Sequence, residues 1–343
     1  MTNSISSSAQ RAAATLTRQW RAIPSWARYT SLLTVVPATS LLLAGLLHDY
    51  HTWKSLGPGG PPHNLWGYIL NHLLAIYAGR RGRDTTTTTP YDDPARYCPG
   101  WREASEEERK GALKAYLKGK LEMRKGLRTR ALKFAAPQRE KMAGEWKVPA
   151  VKEAYHAAFQ KLLSDYPDAV ELQTSVLERH GDALFVPEGK QVPYLAETAR
   201  REIAHIHASD LSAHVVLSLA DAREVVAKGW GERHRASGTR LLPLGYTMVY
   251  VPRTVEEVEV CVEIIRAGVE YMRSCETAGC HLVSDANHGD SAETGVAHDG
   301  YWRSPFGSGG ARVPNPDAIP GSPAPLTDQK LEGWLAGDVG WDG

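Results

Sequence analysis

Cysteine is scarce in this chain. Its four residues, Cys98, Cys261, Cys275 and Cys280, are too few and too scattered over 343 positions to form a disulfide framework. Cys261 falls in an apolar helical period and reads as a small buried hydrophobe. Cys275 and Cys280 lie in a polar stretch, where a shared zinc is the functional alternative. Net charge is also nearly absent: 40 Lys and Arg against 39 Asp and Glu leave +1, which excludes the basic excess of a general nucleic-acid binder. No Gly-rich phosphate loop and no Gly-x-Ser-x-Gly elbow occurs, so nucleotide cofactors and serine hydrolysis find no support. His-Glu-x-x-His is missing, as are internal repeats and any Asn-x-Ser/Thr glycosylation acceptor. What remains is ordinary globular composition, 42% hydrophobic and 23% charged, sufficient for a core.

The first positive feature is an apolar run. Residues 29–47 carry no charge. As a helix rising 1.5 Å per residue they span about 28 Å, close to the hydrocarbon thickness of a bilayer. The run predicts a single transmembrane helix over residues 29–48, after a basic N-terminal segment, 1–28. Trp20, Trp26 and Tyr29 are placed to sit at one membrane interface, and Tyr50 and Trp53 at the other. A cleaved signal peptide lacks its small-residue site here, and a buried core helix would need a polar face. Arg11, Arg18, Arg21 and Arg28 before the run favour a cytosolic N-terminus. The missing glycosylation acceptor argues against a lumenal body, so the side stays open. The expected location is a membrane, with the endoplasmic reticulum as the first choice.

Residues 49–147 read as linker, insertion and basic helix. Gly57 to Pro62 is a turn, and residues 64–77 form a short helix. Residues 80–90, with five consecutive threonines, predict a disordered low-complexity insertion. Ser105 with Glu108 makes a capping box. The stretch from Arg109 to Lys133 holds ten basic residues against one acidic, Glu122. It predicts a helix that is either a solvated face or a surface lying on anionic headgroups. A folded α+β domain is expected over 148–273, a small mixed or antiparallel sheet with helices packed on one side. Its elements are helices over 148–163, 220–228 and 254–272, and strands over 170–177, 183–186, 202–207, 213–219 and 245–251. Residues 274–343, rich in Gly, Pro, Ser and Asp, predict a disordered tail.

Chemistry-bearing residues concentrate in that domain. Five of the thirteen histidines fall between His180 and His234: His180, His205, His207, His214 and His234. His205 and His207 share one face of a strand because side chains alternate with period two, and His214 lies on the expected neighbour. Such a cluster suits proton transfer near neutral pH or metal ligation, with His205, His207 and His214 as the ligand alternative. Satisfied structural histidines are the bland alternative. Trp230, between two glycines, reads as a packed loop aromatic.

The motif Arg201-Glu202-Ile203-Ala204-His205-Ile206-His207, then His214, then Lys228-Gly229-Trp230-Gly231-Glu232-Arg233-His234, resembles the signature of the fungal luciferases and the wider luciferase-like domain family. Asp49-Tyr50, Gly57-Pro58 and Asn64-x-x-Gly67-Tyr68-Ile69 are similar to the segment after that family's anchor. Glu178-x-His180 and Tyr250-x-Pro252-Arg253 agree in order and spacing. The resemblance implies an oxygenase acting on a hydroxylated styryl-pyrone, 3-hydroxyhispidin, with O2 as co-substrate and without flavin, nucleotide or known metal. The reaction then passes through a cyclic peroxide that loses CO2. It implies His205, His207, His214, His234 and His180 as catalytic candidates, and Glu178, Trp230 and Arg233 as substrate-binding ones. The Thr-rich insertion, the basic stretch and the long tail depart from the family pattern, and light emission is not carried over. The expected partners are a membrane and a small molecule, with no nucleic acid. A non-catalytic binding protein that keeps the domain's pocket, or a metal-dependent enzyme, is the alternative.

Overall fold

Pro24 separates two N-terminal helices, α1 (Thr2–Ala22) and α2 (Ser25–Lys54), in the computed structural model, which describes residues 2–79, 84–140 and 149–275. α2 is long and apolar enough to cross a membrane, and its most apolar window is entirely unburied. The buried-core-helix alternative therefore does not apply. Its last turns belong to the folded body instead. Trp53 is 0% exposed and forms a small core with Leu56, Tyr68 and Phe134, while its indole N–H donates to the Ala136 carbonyl at 3.0 Å. This corrects the expectation that Trp53 marks a membrane interface: the helix outlasts the apolar run by about two turns, which carries Trp53 onto the body. α3 (Leu65–Ala78) is capped by Asn64, whose side chain accepts from the Gly67 amide.

Between α3 and the domain the chain departs from expectation twice. Residues 80–83 lie outside the described residues, but the threonine run that follows, 85–89, is built into the fold. The Thr85 hydroxyl donates to Glu232 at 2.9 Å and its carbonyl accepts from the Arg233 amide at 2.8 Å. Short helices α4 (Thr89–Asp92) and α5 (Pro94–Tyr97) follow. The basic stretch is not a long helix either. Capped by Ser105 as expected, α6 (Glu106–Leu113) ends there, and residues 114–140 run as irregular chain across the domain. Acidic side chains on neighbouring elements take up its backbone amides: Asp221 those of Tyr116 and Leu117, Glu224 that of Leu121, Glu263 that of Lys118. Buried Arg124 pairs with Glu257 at 2.7 Å. Charge complementarity with the domain, unreadable locally, overrides helix propensity.

The domain follows as α7 (Pro149–Asp165), β1 (Glu171–Thr174), β2 (Asp182–Phe185), a 3-10 turn at Tyr194–Ala199, β3 (Glu202–Ile206), β4 (Ala213–Val216), α8 (Leu219–Ala227), β5 (Gly231–Arg233), β6 (Tyr246–Val249) and α9 (Val255–Met272). The strands form one open antiparallel sheet in the order β1-β2-β3-β4-β6-β5. The fold is α+β. Period-3.6 apolar stripes bring α7 (Val151, Tyr155, Phe159, Leu162) and α9 (Val258, Cys261, Ile265, Val269) together on one sheet face. α9 sits so close that a Cβ on Gly268 would lie 2.6 Å from Val215 Cγ1. Among the described residues no helix packs flat on the other face. The irregular segment 128–140 and the Gly57–Pro62 turn cover it: the Gly60 amide donates to the Glu178 carbonyl at 2.8 Å, and Asn71 of α3 accepts from the amides of Ala135 and Ala136. β5, α4, α5 and the 3-10 turn, each six residues or fewer, are too short to leave a periodic signal. The expected tail lies outside the described residues from 276 onward, and with it Cys280.

Candidate functional site: a buried histidine cluster

The strap-covered face of the sheet carries the cluster. His205 of β3 sits directly opposite His214 of β4, so both rings project from the same face. His207 follows one pleat beyond His205 and its amide donates to the Ser212 carbonyl at 2.8 Å. Ring centroids are 5.0 Å apart for His205 and His207, 5.2 Å for His205 and His214, and 4.7 Å for His207 and His214. His234 adds a fourth ring 5.2 Å from His214, and Tyr246 of β6 stacks on His214 at 4.8 Å. All five are buried.

A β-bulge completes the first contact. The β2–β3 register shifts at Leu184/Phe185, where Glu202 and Ala204 pair with successive residues of β2. Three residues apart on a regular strand, Glu202 and His205 would face opposite ways; the bulged Ile203 puts them on one face. The Glu202 carboxylate then meets His205 Nδ1 at 2.6 Å, while also accepting from the amides of Val176 and Leu177.

Hydrogen-bond partners fix the tautomers. A carboxylate only accepts, so His205 carries a proton on Nδ1, and its Nε2 is left without a hydrogen-bond partner among the described residues. His207 Nδ1 faces the Ser212 hydroxyl at 2.8 Å; that hydroxyl donates to Asp210, which also accepts from the amides of Ser212 and Glu140. The serine oxygen thus accepts from His207, which likewise keeps a bare Nε2. His234 is different. Its Nδ1 accepts from the Ala236 amide at 3.0 Å, and the Ala135 carbonyl takes its other nitrogen, so neither is spare. Among the described residues His205 Nε2, His207 Nε2 and His214 Nδ1 are buried with no hydrogen-bond partner.

Glu178, from the loop after β1, faces these nitrogens. Its Oε1 lies 3.7 Å from His207 Nε2 and 3.9 Å from His205 Nε2, too far for hydrogen bonds. Arg139 on the strap pairs with it at 2.6 Å. Burial pushes the Glu178 carboxyl up, but the guanidinium outweighs it and holds the group down at about 2. Burial, reinforced by Arg139, pushes His207 well below the usual imidazole range; burial and the neighbouring His207 do the same to His214. Burial also takes His234 down to about 3. These three rings are neutral at pH 7.

Of the residues singled out from the sequence, His205, His207, His214, His234 and Glu178 converge. His180 does not: it is exposed on the β1–β2 turn, whose φ of 63° at Arg179 and 71° at Gly181 direct it away from the sheet. Trp230 is packed, its indole N–H donating to the Glu122 carbonyl at 2.8 Å with Arg124 over the ring. Arg233 donates to the carbonyls of Ser237 and Asp84. Sequence reasoning missed Glu202, Arg139, Asp210, Ser212 and Tyr246. Only Glu202 sat within the recognised motif. Arg139 was hidden in a segment whose course depends on the finished domain. Two surface cavities, of about 460 and 570 Å³, are lined by other residues.

Residues 200–268 match the luciferase domain, which takes in all four clustered histidines but neither Glu178 nor Arg139. The chain is 28% identical over 266 residues to a luciferase of Armillaria ostoyae, covering 74% of this chain and 91% of that one. Against a luciferase of Armillaria mellea it is 28% identical over 250 residues, 69% and 85% of the two chains. A luciferase of Neonothopanus nambi gives 27% over 249 residues, again 69% and 85%. No solved structure matches.

Proposed function

This chain belongs to the luciferase-like domain family, and on that premise we propose that it is a membrane-tethered oxygenase joining O2 to a hydroxylated pyrone or phenolic small molecule. The observation that carries the reading is the set of buried imidazoles, His205, His207 and His214, each with a ring nitrogen that has no hydrogen-bond partner among the described residues. Triplet O2 reacts slowly with closed-shell organic molecules unless they are made electron-rich, as when an enol loses its proton. A neutral imidazole does this near pH 7, and general-base help of this kind contributes about 10²–10⁴-fold. Burial supports the role because it keeps His207 and His214 unprotonated. In its simplest form the reaction needs O2 as co-substrate and no other cofactor. His205 is the favoured base, since Glu202 orients its ring and stabilises the imidazolium that forms. His207 and His214 then line the site, with Glu178 and Arg139 supplying fixed charge for the developing oxyanion. Substrate reaches them when the 128–140 strap lifts.

A second reading has a specific observation in its favour: the same nitrogens and the Glu178 carboxylate are arranged as ligands for an ion. In that case His205 Nε2 is not the base.

Tethering is supported by the exposed apolar helix α2. The continuity of that helix into Trp53 favours a retained anchor over a removed signal sequence, because the body uses the helix's last turns. The endoplasmic reticulum is the expected membrane.

An oxygen electrode tests the function. Purified full-length protein given hispidin-type pyrones takes up O2, and His205→Ala and His207→Ala reduce the rate at least about 100-fold while the chain stays folded. Saturable binding without O2 uptake would replace the oxygenase with a non-catalytic binding protein.

A further inference from the structure

We propose that Glu178, His205, His207 and His214 hold one divalent first-row transition-metal ion. One ligand atom from each of the four buried side chains lies within 4.8 Å of every other. Three of these groups, at His205 Nε2, His207 Nε2 and His214 Nδ1, make no hydrogen bond among the described residues. These nitrogens face a carboxylate and one another. Presented as lone pairs they would repel that carboxylate, and a cation placed between the four turns the repulsion into attraction. Metal–nitrogen bonds of about 2.1 Å in a tetrahedron set donors about 3.4 Å apart. The 3.7 and 3.9 Å from Glu178 to the two Nε2 atoms need only a few tenths of an ångström of closure.

The surroundings match what such a site requires. Metal-bound histidines give their other ring N–H to a carboxylate or similar acceptor, which fixes the tautomer and raises ligand basicity. Glu202 does this for His205, and the Asp210–Ser212 pair for His207. Tyr246 stacked on His214 holds the third ring. Three imidazoles with one carboxylate suit iron, cobalt, nickel, copper or zinc, not calcium or magnesium. His234 is excluded as a ligand because both its nitrogens are engaged. The proposal concerns occupancy and does not rest on the oxygenase reading.

Elemental analysis of full-length protein, purified in detergent without chelators or a metal-affinity tag, tests it. About one equivalent of transition metal per chain is expected. His207→Ala and Glu178→Gln lose it, Glu202→Gln binds about 10–100-fold more weakly, and His180→Ala keeps it. Cobalt(II) added to chelator-treated protein provides a second readout: visible absorption bands and a raised Tm, both missing in His207→Ala. Folded wild-type protein without metal as isolated, and without cobalt bands or a Tm shift on titration, would overturn the site. So would a His207→Ala variant with full occupancy. Metal without O2 uptake would overturn the oxygenase and keep the site; O2 uptake by protein that holds no metal as isolated and takes none on titration would overturn the site and keep the oxygenase.

Discussion

His234 has no nitrogen to spare, and that separates it from the three rings beside it. Period-two counting put His205 and His207 together from sequence alone. It could not tell His234 from them, because what distinguishes it is the Ala236 amide and the Ala135 carbonyl, one local and one from a distant strap. The difference is measurable through pH. Burial depresses the folded-state pKa of His234 to about 3, while an unfolded histidine titrates near 6.5. Between those values the unfolded state binds a proton that the native state refuses. The ring's contribution to stability is therefore full above pH ~6.5 and is lost as pH falls towards 3. His234→Gln keeps an acceptor for Ala236 and a donor for Ala135 but cannot titrate. The stability of wild type relative to that variant should fall by about 1.4 kcal/mol per pH unit between pH 6 and 4. Urea melts of both proteins at pH 7, 6 and 5 check this, and parallel curves would show that His234 is protonated in the fold.

At the scale of elements, what was legible had a short-range cause. The capping box at Ser105 is local, and its hydroxyl accepts from the Glu108 amide as the spacing requires. The apolar stripes of α7 and α9 are periodic over many residues. The bulge in β3 and the course of residues 114–140 were not legible, since the first comes from register with β2 and the second from carboxylates far along the chain. β3 shows how the two combine: past the bulge, His205 faces the strap and Ile206 the helices, where it joins the main core. Ile206→Ala leaves a cavity on that face and should cost about 2–5 kcal/mol of stability. Because the site lies on the other face, O2 uptake per folded molecule should hardly change. Thermal melts and uptake rates on the same preparation separate the two faces. Loss of turnover without loss of stability would put Ile206 in the site.

On the scale of the whole chain, α2 belongs to two environments at once. Leu33, Leu41 and Leu42 are more than 60% exposed and touch no core, whereas Trp53, three turns further on, is 0% exposed. The apolar run was readable because a bilayer reads composition alone. The docking of its far end was not, because the partners, Tyr68, Phe134 and the Ala136 carbonyl, lie on other elements. The two halves of the helix predict different truncation phenotypes. Full-length protein should stay in the membrane pellet after carbonate washing. A chain starting at Gly45 removes most of the span, keeps Asp49 on the Tyr68 hydroxyl and Trp53 in its cluster, and should be released with an unchanged Tm. A chain starting at Gly57 loses Trp53 and Leu56 as well. Removing a buried aromatic costs about 3–5 kcal/mol, so this chain should be soluble but distinctly less stable. The strap that covers the histidines should then loosen first, since Trp53 holds its Ala136 carbonyl. Hydrogen exchange over residues 130–140 in the two truncated chains tests that step. Equal protection would mean that Asn71 and the Arg139–Glu178 pair pin the strap without Trp53, and release of the full-length chain by carbonate would make α2 a peripheral helix instead of an anchor.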